Sequence, residues 1–222
     1  LAHDGCFRDM ASMHGSYRKV AETIPAIEIL GELLAEWNVS NCRWLLDQPV
    51  SNSGRLKTML EGIEWLLPRE QEKGRPCSGE AAIREAVANM KASLEASEAN
   101  LTLQLEDFTI RCHPSLLVRM FQNLISNAVK YAGEKKPEIL VRSEVRAGEV
   151  EMCVRDFGVG IPEQHLHKVF EPFRRLHRQD QVAGSGLGLT FCRDLLRRMG
   201  GEIWVESTET EGTSFYIKLP VE

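Results

Sequence analysis

The sequence predicts an α+β chain: a helical hairpin followed by a domain of mixed α and β structure. Three observations predict it. The first 67 residues carry apolar stripes at helical spacing and no strand pattern. A polar segment rich in breakers, Pro68 to Gly79, interrupts the chain. Beyond it, short alternating runs of strand type are separated by amphipathic helical runs.

Taken in order, Val20, Ile24, Ile27, Leu30, Leu33 and Leu34 form one stripe, interrupted at Pro25, which kinks a helix or starts one. Asn38 to Asn41 and Gln48 to Gly54 are loop-like. Leu56, Met59, Leu60, Ile63, Leu66 and Leu67 form a second stripe. Two helices alone bury neither stripe well. A hairpin that dimerises into a four-helix bundle buries both, and a helical layer packed on the rest of the chain is the alternative. The expected division is residues 1–70 for the helical unit, 71–77 for a linker and 78–222 for the mixed domain.

In the mixed domain a helix runs from Glu80 to about Ala99, opened by Ser78 or Gly79. Leu101 to Leu105 and Phe108 to Cys112 read as short strands. Pro114 stands at the start of a helix, Ser115 to Tyr131. Glu138 to Val145 and Glu149 to Asp156 alternate as strands joined at Ala147-Gly148. Asp156 to Ala183 is a long loop, of the kind that serves as a lid. Ser185 to Met199 is a helix ended by Gly200-Gly201, and Glu202 to Glu206 and Ser214 to Leu219 close the domain as strands.

The totals exclude several classes. A net charge of -5 argues against nucleic acid as the main partner. The six cysteines (6, 42, 77, 112, 153 and 192) show no metal spacing and read as reduced thiols. No apolar run approaches the roughly 20 residues that span a bilayer, and a signal peptide is not expected from first residues that carry His3, Asp4, Arg8 and Asp9 and no apolar core. The first residue is not Met, so a fragment is expected, of cytoplasmic location, with any sensory domain upstream of it.

Chemistry gathers in four stretches. Val154-Arg-Asp-Phe-Gly-Val-Gly-Ile-Pro162 puts one carboxylate, Asp156, at a strand end before two glycines, Gly158 and Gly160. That suits a flat polar ligand held edge-on, although Asp-x-Gly-x-Gly also occurs in plain turns. On the helix Ser115–Tyr131, Asn123 and Asn127 share a face with Lys130 or Tyr131. A merely solvated face would carry Glu and Lys, not two Asn, which are poor helix formers. An amide oxygen is a hard ligand suited to Mg²⁺, and Lys130 offers a point charge to phosphate. Gly184-Ser-Gly-Leu-Gly-Leu189 opens a helix with backbone N–H groups free to meet an anion. It is neither a phosphate loop with Lys-Ser/Thr nor a dinucleotide fingerprint, because it follows a long loop. Phe170-Glu-Pro-Phe173 lies within that loop.

Together these four blocks resemble the ATP-binding domain of sensor histidine kinases, within the wider family shared with gyrase-type and chaperone-type ATPases. Asn123 to Tyr131 matches the N box, Asp156 to Gly160 the G1 box, Phe170 to Phe173 the F box and Gly184 to Leu189 the G2 box. Gly212-Thr213 resembles the closing turn. Phe170-Glu-Pro-Phe-Arg-Arg-Leu-His177 and Gly201-Glu-Ile-Trp-Val-Glu-Ser207 resemble the phytochrome-like group. The resemblance covers about residues 78–220 and implies an α/β sandwich with a mixed sheet, ATP and Mg²⁺ as ligands, a homodimer and a response-regulator receiver domain as partner.

Residue by residue, the resemblance implies that Asp156 accepts from the adenine amino group, with Gly160 shaping the base pocket, Gly158 among the nucleotide-binding residues and Thr213 supporting Asp156. It implies that Asn127 coordinates Mg²⁺ with Asn123 nearby, and that Lys130 contacts phosphate while Tyr131 packs near the base or ribose. Gly184, Gly186, Leu187 and Gly188 would present backbone to the phosphates. Residues 163–183 would form the lid, anchored by Phe170 and Phe173, with Arg174 or Arg175 meeting the γ-phosphate. Gyrase- and chaperone-like relatives carry a Glu where this chain has Asn123, so transfer to a side chain is expected over hydrolysis. The acceptor is expected at His3, beside Asp4, although position 8 is Arg8 where the family places Pro. His14 is the alternative, and the absence of any functional acceptor is the other. His113, His165, His167 and His177 read as surface or lid residues.

Overall fold

The computed structural model describes residues 74–171 and 186–221. The chain divides into two units, Leu1–Glu61 and Gly62–Glu222, and the described residues lie in the second. The expected hairpin and four-helix bundle, with His3, Asp4 and His14, lie outside the described residues, as do Phe173, Arg174, Arg175 and Gly184.

The described elements are β1 (Arg75–Ser78), α1 (Gly79–Asn89), α2 (Lys91–Ala96), β2 (Asn100–Gln104), β3 (Thr109–Cys112) and α3 (Pro114–Lys130). They continue as β4 (Glu138–Arg146), β5 (Glu149–Asp156), α4 (Glu163–Leu166), α5 (Gly188–Arg198), β6 (Glu202–Thr208) and β7 (Gly212–Pro220). A five-stranded sheet has the order β2-β4-β5-β7-β6, and β1 and β3 form a separate two-stranded ribbon. The sheet is mixed: β2 runs parallel to β4, and the other neighbours are antiparallel. The parallel pair follows from the connection, because β2 reaches β4 through β3 and α3, a crossover that returns the chain in the same direction. This is the α+β architecture with a mixed sheet expected above.

Period-two alternation builds the inner face. On β5 it places Val150, Met152 and Val154 in the core, facing Leu219, Ile217 and Phe215 across the register with β7. The helix period does the same for α3, whose Leu117, Phe121, Leu124, Ile125 and Ala128 are buried. Each such Leu, Ile or Phe contributes about 1.5–3 kcal/mol when fully buried. α3 packs on β4 and β5, α5 packs on α3 and β6, and α1 covers α3.

Three expectations change. The single helix Glu80–Ala99 is two helices, broken at Met90 (φ -100°, ψ 2°), whose N–H turns back to Val87 and Ala88. Residues 75–77, expected within a linker, belong to strand β1, antiparallel to β3 with Pro76 opposite Arg111. Pro76 is tolerated because β1 is an edge strand. Ser78 opens α1 as expected, its hydroxyl accepting from the Ala81 N–H at 3.1 Å. The described part of the last helix starts at Gly188, three residues after the expected Ser185.

Candidate functional site

The apolar row on β5 ends in a carboxylate. Asp156 follows Val150, Met152 and Val154 on the same inner face and is only 6% exposed. It lies opposite Thr213 in the register. Its Oδ1 accepts from the Gly158 N–H at 3.0 Å and from the Thr213 N–H at 3.2 Å. Burial pushes this carboxyl above the usual range, and the two backbone N–H bonds and the Arg155 charge pull it partly back. Both of these bonds fall on Oδ1, which leaves Oδ2 for a donor outside the chain. Thr213 thus supports Asp156 through its backbone, while its hydroxyl pairs with the Ser207 hydroxyl at 3.0 Å.

The loop after Asp156 is clamped on two sides. Val159 donates to the Tyr131 carbonyl at the end of α3 and accepts from the Thr210 N–H, each at 3.0 Å. A Cβ at Gly158 would lie 2.2 Å from the Tyr131 carbonyl oxygen. A Cβ at Gly160, where φ is +72°, would lie 2.1 Å from the Thr208 carbonyl oxygen. Both glycines are therefore required by close backbone approach, and Gly160 also by its left-handed conformation. Ser207 is a residue that sequence reasoning missed: it accepts from the Ile161 N–H at 2.8 Å and donates to the Gly212 carbonyl at 2.7 Å. Nothing local marks it, because its partners lie 46 and 5 positions away. At the rim, Phe157 is 40% exposed and Arg155 lies over its ring at 4.7 Å from the centroid.

The end of α3 meets this loop through the Tyr131 carbonyl. Asn123 and Asn127 are half-buried, flanking the apolar stripe, and Lys130 is exposed in the last turn. Tyr131 is half-buried, and its N–H bonds to the Asn127 carbonyl at 3.0 Å. Asn123 is turned to α5: its Oδ1 lies 3.1 Å from where a Gly188 Cβ would stand. Asn123 therefore fits α3 to the start of α5, a packing role that the sequence did not reveal. Gly186 takes a left-handed turn before the buried Leu187, whose carbonyl accepts from Phe191 at 2.9 Å in the first turn of α5.

Phe170, of the Phe-Glu-Pro-Phe stretch, is buried edge-on against Phe215 at 6.3 Å. The Thr190 hydroxyl donates to its carbonyl at 3.0 Å, tying the base of the long loop to α5. The structure thus gathers Asp156, Gly158, Gly160 and Thr213 in one bonded cluster. It places Asn123 and Gly188 in a second one at the α3–α5 contact. His113 precedes α3 with its Nδ1 2.7 Å from the Ser115 hydroxyl, apart from both clusters. Among the described residues no three His, Cys, Asp or Glu side chains gather as a metal cluster, and no described helix is long and apolar enough to cross a membrane.

Comparison with known proteins gives the same assignment. Residues 112–222 match the family model "Histidine kinase-, DNA gyrase B-, and HSP90-like ATPase". Residues 1–68 match a model described only as a domain of unknown function, DUF5616. Phytochrome-like protein Cph1 of a Synechocystis species is 34% identical over 139 residues, which is 63% of this chain and 18% of that protein. The chain therefore spans less than a fifth of the length of this relative. The mycobacterial sensor histidine kinase MprB aligns with a TM-score of 0.60 and 26% identity, over 67% of this chain and 98% of that one. Histidine kinase ThkA, in its crystal structure in complex with response regulator protein TrrA, shares the fold, with a TM-score of 0.61 and 21% identity, over 97% of this chain and 64% of that one. A buried Asp at a strand end, a clamped two-glycine loop and an amide-bearing helix thus coincide with an independent match to half the sequence, and the chain belongs to the histidine kinase-, DNA gyrase B- and HSP90-like ATPase family, in its sensor histidine kinase branch.

Proposed function

We propose that this chain is the catalytic core of a two-component sensor histidine kinase, autophosphorylating a histidine and passing the phosphoryl group to a response-regulator aspartate. The observation that carries the reading is Asp156: a buried carboxylate with its Oδ1 occupied by two backbone N–H groups, so that Oδ2 accepts from the adenine amino group. Gly158 and Gly160 let the loop lie flat beside the base. The chemistry of the donor set fits a magnesium nucleotide. The Asn127 amide oxygen is a hard ligand for Mg²⁺, and Lys130 and the N-terminus of α5, with Gly184, Gly186, Leu187 and Gly188, suit phosphate. When bound, Mg²⁺ neutralises phosphate charge. Tyr131 borders the base or ribose, and Arg174 in the lid meets the γ-phosphate.

His3 is the proposed acceptor, with Asp4 orienting its ring. A neutral ring nitrogen of His3 attacks the γ-phosphorus, an N–P bond forms, and the bond to the β-phosphate oxygen breaks as ADP leaves. Asn123 supports transfer over hydrolysis, because an amide turned to Gly188 is no base for water. The working unit is a homodimer through the helical hairpin. Its phosphoryl acceptor is a receiver domain, a reading favoured by the response regulator bound to ThkA in the complex that shares this fold. A cytoplasmic location and an upstream sensory domain belong to the same proposal.

Arg8, standing where the family places Pro, favours a second reading: an ATP-binding dimeric module with a degenerate acceptor. One experiment separates the two. The chain is incubated with γ-labelled ATP and Mg²⁺ as wild type, His3→Ala and His14→Ala. Acid-labile, base-stable label lost only in His3→Ala supports the proposal. Label lost only in His14→Ala moves the acceptor there, and unlabelled wild type that still binds ATP selects the module.

A further inference from the structure

The ribbon of β1 and β3 brings together two thiols that the nucleotide site does not use. Cys77 and Cys112 are 35 positions apart in the chain, yet their Sγ atoms lie 2.9 Å from each other. The register explains the meeting. Cys77 pairs with Ile110 and Arg75 with Cys112, so both thiols project from the same face of the ribbon on a diagonal. Cys112 is buried and Cys77 half-buried, with the Cys77 thiol also 3.4 Å from the Ile110 carbonyl. The ribbon is pinned around them: Arg111 donates to the Gly74 carbonyl at 3.2 Å, and Ser78 donates to Asp107 at 2.7 Å. A sulfur–sulfur bond is about 2.05 Å long, so closure requires the two atoms to approach by less than about 1 Å. The other described cysteines, Cys153 and Cys192, are buried, and the Cys192 thiol donates to the Met120 carbonyl at 3.8 Å.

We propose that Cys77 and Cys112 form a reversible disulfide when the protein meets a hydroperoxide, fastening β1 to β3. The steps balance. The more accessible Cys77, as thiolate, attacks the peroxide oxygen; the O–O bond breaks, a sulfenic acid forms, and the released hydroxide takes up the thiol proton as water. The Cys112 sulfur then attacks the Cys77 sulfenic sulfur, the S–O bond breaks, and the Cys112 proton leaves with the hydroxyl as a second water. Two thiols are oxidised and one peroxide is reduced to two waters. Burial and the neighbouring Cys77 push the Cys112 thiol well above its ordinary value. Cys77 is the more exposed of the two thiols, so a hydroperoxide meets it first.

The test uses the full chain with its six cysteines. Wild type and Cys77→Ser are treated with hydrogen peroxide, alkylated and digested, and the peptides are read by mass spectrometry. Thermal unfolding is followed on the same samples. The proposal expects a Cys77–Cys112 cross-linked peptide that dithiothreitol dissolves. It also expects a rise in Tm on oxidation of wild type that Cys77→Ser lacks. Recovery of both residues as alkylated thiols, of either as a sulfinic acid without cross-link, or of a link to another cysteine overturns it. Cys77 is half-buried, so Cys77→Ser is expected to melt like wild type under reducing conditions. If it does not fold, the wild-type peptide map alone decides.

Discussion

The substitution Asp156→Asn separates what this residue does for the ligand from what it does for the fold. The oxygen of the introduced amide keeps the two bonds from Gly158 and Thr213. What changes is the outward atom, from an acceptor to a donor. An adenine amino group then meets another donor. Losing a hydrogen bond to a charged acceptor costs about 1.5–3 kcal/mol, so ATP affinity falls by about 10- to 150-fold. Stability moves the other way. The folded carboxyl is held above its unfolded value by burial. A raised group contributes stability that is fully present below its unfolded pKa and is lost as pH rises through its folded pKa. The neutral amide carries no such loss. Without nucleotide, Asp156→Asn is therefore at least as stable as wild type at neutral pH, and the difference closes on acidification. Calorimetric ATP titration and thermal unfolding from neutral pH into acid measure both arms. Affinity within threefold of wild type refutes the adenine role. A variant less stable at neutral pH by an amount that does not change with pH refutes the buried-charge argument.

Three further outcomes are expected. Gly160→Ala is destabilised by more than the about 1–2 kcal/mol of left-handed backbone alone, because its Cβ meets the Thr208 carbonyl; a thermal unfolding curve matching wild type would count against the clamped loop. Asn127→Ala folds normally, since Ala favours the helix interior, but its ATP affinity becomes the same with Mg²⁺ and with chelator; a retained Mg²⁺ dependence in the titration contradicts the metal role. Thr190→Val loses the buried bond to the Phe170 carbonyl at a cost of about 1–3 kcal/mol, read as a lower Tm; no change in Tm would show that the loop base is not tied to α5 through this hydroxyl.

The parts legible in the sequence are those whose signal is local. Val150, Met152, Val154 and Asp156 share a face because strands alternate, so a carboxylate closing an apolar row is visible from the residue order alone. The α3 stripe and its flanking Asn123 and Asn127 follow from the helical period. The illegible parts depend on distant partners or on a signal with two meanings. Pro76 and Gly74 read as linker residues, yet an edge strand accepts Pro where its N–H has no partner to serve. Met90 breaks α1 from α2 without any Gly or Pro to announce it. Ser207 serves a loop 46 positions away, and Thr213 acts through a backbone N–H that any residue there except Pro would supply. Cys77 and Cys112 look scattered along the chain, and only the register of β1 and β3 brings them into contact.

The central claim is that an adenine nucleotide sits with its base against Asp156 and its phosphates beside α3 and α5. Amide resonances observed during titration of the full chain with ATP and Mg²⁺ test it directly. The account predicts saturable shifts at Gly158 and Thr213, whose N–H groups hold the Asp156 carboxylate, and at Asn127 and Gly188. It predicts that GTP, which offers an oxygen where adenine has its amino group, leaves Gly158 and Thr213 unmoved. Saturable binding of ATP with no shift at Gly158 or Thr213, or equal shifts with GTP, would contradict it.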